Sequence, residues 1–161
     1  MPVEQDIDLG NGVKMTMVLI PAGEFLMGSP PTTSPQQIEK LLGKDEWTDY
    51  SREFPQHGVT ISRPFWLGKT EVTQGQWQAI SGDNPSRFHG RPQNPVEQVT
   101  WNDCQGFLLK LSAKLKETLR LPTEAEWEYA CRAGAATLFV TLQPAEVQSS
   151  VVFGVRPLGR S

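Results

Sequence analysis

The sequence predicts an α+β domain with long irregular connections, and three observations predict it. β-rich runs occur at 13–20, 24–28, 57–61 and 64–69. Cap signals followed by apolar periodicity begin at Thr73, Thr100 and Thr123. The rest is punctuated by 14 glycines and 13 prolines in 161 residues, too many for continuous regular structure.

Residues 13–20 (VKMTMVLI) alternate partly and follow Asn11-Gly12, a turn signal. Pro21-Ala22-Gly23 breaks that strand, and residues 24–28 (EFLMG) read as a second, so the two are expected to pair as a hairpin. Ser34-Pro35-Gln36-Gln37 opens a short helix: Ser34 can cap, Pro35 suits the first helical position and Gln37 can return the bond. Ile38, Leu41 and Leu42 form its apolar side and Gly43 stops it. This helix lies in a polar excursion before the strands at 57–61 and 64–69.

Thr73 to Gln76 is a second capping box, opening a helix through Trp77 and Ile80. Residues 81–95 are loop, because Gly82, Pro85, Gly90, Pro92 and Pro95 forbid much else. Thr100 to Asp103 opens a longer helix whose Phe107, Leu108, Leu111 and Leu115 recur at helical spacing and face a core. Thr123 to Glu126 opens the last helix, with Trp127, Ala130 and Cys131 on the side expected to be buried and Gly134 at its end. Residues 135–161 change character: they hold no Trp, Tyr, Asp or Cys and a single Glu, with one strand candidate at 151–155.

Composition excludes several functions. The charge is −3 and the pI near 5.4, with Lys and Arg scattered, so no nucleic-acid partner is expected. No apolar run approaches the roughly 20 residues that span a bilayer, and the acidic start MPVEQDIDLG lacks a signal-peptide pattern. No membrane association and a cytoplasmic location are therefore expected. Phosphate loops, dinucleotide fingerprints and nucleophile elbows are absent from the sequence.

Cys104 and Cys131 are the two cysteines. Both fall in helical segments and read as buried thiols acting as small hydrophobes. Two thiols cannot build a four-thiolate zinc site, and neither His57 nor His89 stands at ligand spacing. Soft thiolates suit Cu(I), but packing alone accounts for each. Glu71, Arg120, Glu126 and Arg132 read as an ion-pair framework rather than as catalysts. No residue is singled out as catalytic, cofactor-binding or metal-binding.

The stretch 120–134 (RLPTEAEWEYACRAG) resembles the signature of the formylglycine-generating enzyme family, also called sulfatase-modifying factor domains. Similar pieces stand in the family's order at 20–29 (IPAGEFLMGS), 65–77 (FWLGKTEVTQGQW), 84–88 (NPSRF) and 94–107 (NPVEQVTWNDCQGF), so the resemblance covers about residues 9–134. It implies a C-type-lectin-like α+β fold with much irregular structure. It also implies copper- and O2-dependent oxidation of a cysteine in a sulfatase peptide to formylglycine. In complete members the copper is held by two cysteines of the domain's back half, where the calcium sites also lie.

Cys104 and Cys131 do not match that pair. Residues 1–134 are thus expected to be the amino-terminal part of such a domain, incomplete at the C-terminus. Residues 135–161 are expected to be a divergent tail, poorly ordered or the product of a frameshift near residue 138. The chain alone is expected to be inactive, holding neither copper nor calcium, with a sulfatase-type peptide the partner only of a complete member. Two alternatives stand beside this reading: a lectin-like ligand- or protein-binding module, and a relative of the iron-dependent sulfoxide synthases.

Overall fold

The computed structural model describes residues 2–29, 54–132 and 156–157. The chain divides into two compact units: one takes 1–22, 63–123 and 142–161, the other 23–62 and 124–141.

The first unit starts with a hairpin. Strand β1 (Glu4–Gly10) pairs antiparallel with β2 (Val13–Ile20). Gly10, Asn11 and Gly12 all take positive φ (89°, 54° and 77°), which is why Asn-Gly stands at this turn. Asp8 Oδ1 accepts the Gly10 N–H at 2.8 Å. Ile7 and Leu9 alternate inward, while Thr16 Oγ1 donates to Asp6 on the outer face at 2.8 Å. Lys69 Nζ pairs with Glu4 across the sheet surface at 2.8 Å.

The other edge of β2 takes β5 (Phe65–Gly68), and β5 takes β6 (Arg156–Pro157), giving the antiparallel order β1-β2-β5-β6. The hairpin expected between 13–20 and 24–28 therefore does not form. Both edges of β2 are used by other strands, and the chain break at Pro21 separates it from the next.

Helix α1 (Gln74–Ser81) begins at the expected capping box. Thr73 Oγ1 accepts the Gln76 N–H at 3.3 Å, and Gln76 Oε1 accepts the Thr73 N–H at 3.0 Å. Helix α2 (Trp101–Leu115) is capped the same way by Thr100 and Asp103. Those bonds hold the Asp103 carboxyl below the ordinary carboxylate range. Phe107, Leu108 and Leu111 are buried as expected, with Leu115 half-buried. Phe107 stacks on Trp77 of α1, with ring centroids 4.8 Å apart and planes 11° from parallel. Leu9, Met17, Val72, Val96 and Leu119 complete this core.

The second unit is smaller. Strand β3 (Gly23–Met27) pairs antiparallel with β4 (His57–Ile61), and helix α3 (Glu124–Arg132) packs on them. No residue of α3 is fully buried, so Trp127, Ala130 and Cys131 are half-buried rather than buried. The side bonded to β3 and the residue after it carries Glu128, Tyr129 and Arg132 instead, with Tyr129 5.3 Å from the Phe25 ring. The helix expected at 34–43, the tail at 135–161 and its strand at 151–155 lie outside the described residues, β6 apart. Among the described residues no helix is long and apolar enough to cross a membrane.

Leu111 is 0% exposed in the core around α2. Leu111→Ala should cost about 3 kcal/mol, by lost transfer energy plus the cavity left behind. Urea denaturation of the two proteins measures it, and equal midpoints would show that α2 is not the core helix.

Candidate functional site

The irregular half of the first unit is organised by one buried amide. Gln74, only 2% exposed, uses both of its amide N–H donors and its oxygen in hydrogen bonds. Its Nε2 donates to the carbonyls of Phe88 (3.0 Å) and Pro95 (3.3 Å), and its Oε1 accepts from Asn84 Nδ2 (3.1 Å). Asn84 Oδ1 accepts the Ser86 N–H (3.1 Å), and buried Ser86 Oγ accepts the Glu97 N–H (3.2 Å). Glu97 Oε1 accepts the Phe88 N–H at 2.9 Å.

The start of α1 joins the same network. Its first two N–H groups, orphaned within the helix, donate to Asn94 and Pro92 carbonyls at 2.8 Å each. Gly75 permits that approach, since a Cβ there would stand 3.2 Å from Pro92. Residues 84–97, which look like loop from sequence, are thus fixed by side chains and not by ladders. Gln74 was legible only as part of a cap. The Asn-Pro-Ser run at 84–86 was the available sign, because short polar side chains bond nearby backbone.

In the second unit, Glu128 and Arg132 bracket one residue, Gly28, by its N–H and its carbonyl. Glu128 Oε1 accepts the Gly28 N–H at 2.9 Å, and Arg132 Nη2 donates to the Gly28 carbonyl at 2.9 Å. Arg132 Nε donates to Glu128 at 2.8 Å, so the two side chains hold each other in place. Arg132 therefore belongs to an ion pair, as the framework reading expects, with Glu128 as its partner. Arg120 Nη1 donates to the Leu121 carbonyl at 3.0 Å, and Glu71 is half-buried. His57 and His89 are exposed, the first with Nδ1 3.0 Å from the Pro55 carbonyl oxygen.

Both thiols sit in surroundings that favour the protonated form. Cys104 is 2% exposed among apolar side chains, and burial pushes its thiol from the ordinary 9.0 up to about 11, with the Asp103 charge adding to the shift. Burial, then the Glu128 carboxylate, raises Cys131 as well. Both cysteines are free of disulfides. A copper ligand is a thiolate, which both surroundings disfavour at neutral pH. Among the described residues no three His, Cys, Asp or Glu side chains converge on a metal-sized point. A concavity of about 440 Å³ lies on β3 and β4, lined by Glu24, Phe25, Leu26, Gly58, Val59 and Thr60.

The family model described as "Sulfatase-modifying factor enzyme 1-like domain" matches residues 10–150. The chain belongs to this family. The formylglycine-generating enzyme of Streptomyces coelicolor is 39% identical over 79 residues, covering 49% of this chain and 22% of that one. Chaperone protein LppX of Paenibacillus barcinonensis is 39% identical over 109 residues, covering 47% and 38%. Hercynine oxygenase of Mycolicibacterium smegmatis is 26% identical over 156 residues, covering 74% and 32%. The sulfatase-modifying-factor-type chain thus spans less than two fifths of these relatives' length.

Among solved structures, Treponema denticola variable protein 1 superposes with a TM-score of 0.67 at 26% identity, covering 92% of this chain and 63% of that one. PvdO from Pseudomonas aeruginosa gives 0.63 at 27% identity, covering 84% and 53%. The fold is the α+β fold of the formylglycine-generating-enzyme type.

Two outcomes test this geometry. Gln74→Met keeps the volume but strands two carbonyls and the Asn84 amide, so stability should fall by about 2–3 kcal/mol. Amide exchange should quicken across 84–97 while β1 and β2 stay protected, and uniform exchange would refute the anchoring role. The Cys104 pKa is raised on folding, so its stabilising contribution is full below pH 9 and fades as pH rises toward 11. Wild type should lose roughly 1 kcal/mol per pH unit across that window relative to Cys104→Ala. Parallel pH dependence in urea melts would contradict the sealed thiol.

Proposed function

We propose that this chain acts as a binding module on a formylglycine-generating-enzyme scaffold and does not by itself oxidise cysteine to formylglycine. The carrying observation is Cys104. A copper-thiolate oxidase needs accessible, ionised sulfur, whereas this thiol is sealed in the core and its pKa raised to about 11. The residues that match the family's pieces serve the frame instead: Gln74 and Asn84 fix a loop, and Glu128 with Arg132 fixes a turn. A relative named as a chaperone supports a family scaffold put to binding. Copper, calcium and a sulfatase peptide are on this reading requirements of a longer family member.

A second reading has one observation in its favour. The hercynine oxygenase match covers 74% of this chain, against 49% for the Streptomyces formylglycine-generating enzyme. It makes the chain part of an oxygen-using relative that acts on a small molecule.

The deciding assay incubates the purified chain with Cu(I), O2 and a peptide of Cys-x-Pro-x-Arg type, reading the peptide by mass spectrometry. No aldehyde product is expected. Formylglycine formed by the wild-type chain alone would overturn the proposal.

A further inference from the structure

Two surface features have opposite shape and charge, and neither serves the scaffold. The first is convex. Phe88 is 68% exposed, yet both polar groups of its backbone are held, the N–H by Glu97 and the carbonyl by buried Gln74. Its exposure is therefore imposed by a fixed backbone. The Arg87 guanidinium carbon stands 5.8 Å from the centre of the Phe88 ring. Residues 87–93 carry exposed Arg87 and Arg91 and no carboxylate, in a chain whose net charge is −3.

The second feature is concave. On β3, Leu26 is 58% exposed and stands opposite Gly58 of β4. The missing side chain at Gly58 leaves the concavity of about 440 Å³, which falls within the size range of binding pockets. Leu26 is the large apolar side chain on this exposed face, the backbone at Phe25 and Val59 floors it, and Glu24 supplies a carboxylate.

We propose that the chain self-associates by seating Phe88 of one copy in the β3–β4 concavity of another, with Arg87 against Glu24. The contact buries two exposed apolar side chains and opposes unlike charges, with an aromatic residue and an arginine as anchors, the types that dominate interface energetics. A nucleic acid would need more than two cations. The two patches differ, so the contact is heterologous. This inference is independent of the binding-module proposal, since an oxidase could associate in the same way.

Sedimentation velocity on the purified chain tests it, from roughly 10 µM to 1 mM, the range in which a contact smaller than a standard interface assembles. The weight-average mass of the wild type should rise with concentration. Gly58→Val fills the concavity without harming the fold, because a Cβ there meets nothing within 4 Å and valine suits a strand. That variant and Phe88→Ser should each associate at least about tenfold more weakly. Arg87→Glu and Glu24→Arg should each weaken association alone, and an equimolar mixture of the two should recover it. A wild type that stays monomeric throughout overturns the proposal. So does Gly58→Val assembling like the wild type, or a reversed-charge mixture that fails to recover.

Discussion

The structure depends most on the side-chain amide of Gln74. A loop of the length of 84–97 inside a packed domain needs partners for its backbone groups, because each buried group left unpaired costs on the order of 1–3 kcal/mol. No ladder supplies them beyond one bridge between Thr73 and Pro95. A single carboxamide takes two carbonyls, and through Asn84, Ser86 and Glu97 the constraint spreads to the whole loop. The same helix turn lends its orphan N–H groups to Asn94 and Pro92. The capping box at Thr73, which fixes where α1 starts, thereby also fixes where the loop can lie. Local helix chemistry and loop placement are here one constraint, and Val72 and Val96 lie buried directly behind it.

What was legible in the sequence follows from how local each signal is. The boxes at Thr73 and Thr100 are contained within four residues, and both helices start where those boxes place them. Strand β2 starts directly after its Asn-Gly turn, with a register shift on β1 between Asp8 and Gly10, and β4 and β5 stand where β-rich runs stand. Strand β1 escaped notice because Glu4, Gln5, Asp6 and Asp8 dilute its pattern. Only Ile7 and Leu9 reveal the period, and the acidic positions are tolerable because Thr16, Lys14 and Lys69 stand opposite or beside them. Pairing is non-local, so 13–20 and 24–28 were adjacent in sequence yet belong to different sheets.

The side of α3 that bonds β3 is not the apolar one. Ranking its residues by hydrophobicity favours Trp127, Ala130 and Cys131. Past the end of β3, Gly28 offers an N–H and a carbonyl to be bonded, and charged side chains do that better than apolar ones. The short segment thus binds its sheet through Glu128, Tyr129 and Arg132, spaced as one helical face. An Arg–Glu pair that also bonds backbone leaves few of its own donors and acceptors unsatisfied, which keeps its half-buried position affordable. Much of the family signature at 124–132 is in this sense a description of how to hold Gly28, which is architecture.

That distinction bears on how activity is inferred from family. The pieces by which the chain is assigned to sulfatase-modifying factor domains coincide with its caps, its loop anchor and its bracketed turn, and each has a sufficient structural reason for its residues. Matching them establishes the frame. Oxygen chemistry on a thiol depends on something the frame does not determine: sulfur that is ionised, reachable and paired with a second soft ligand. Cys104 satisfies the requirements of the core instead, where a neutral, space-filling thiol stabilises and a thiolate would destabilise. The same burial that makes the residue a good core member favours its protonated form, so packing and ionisation pull in opposite directions at that position.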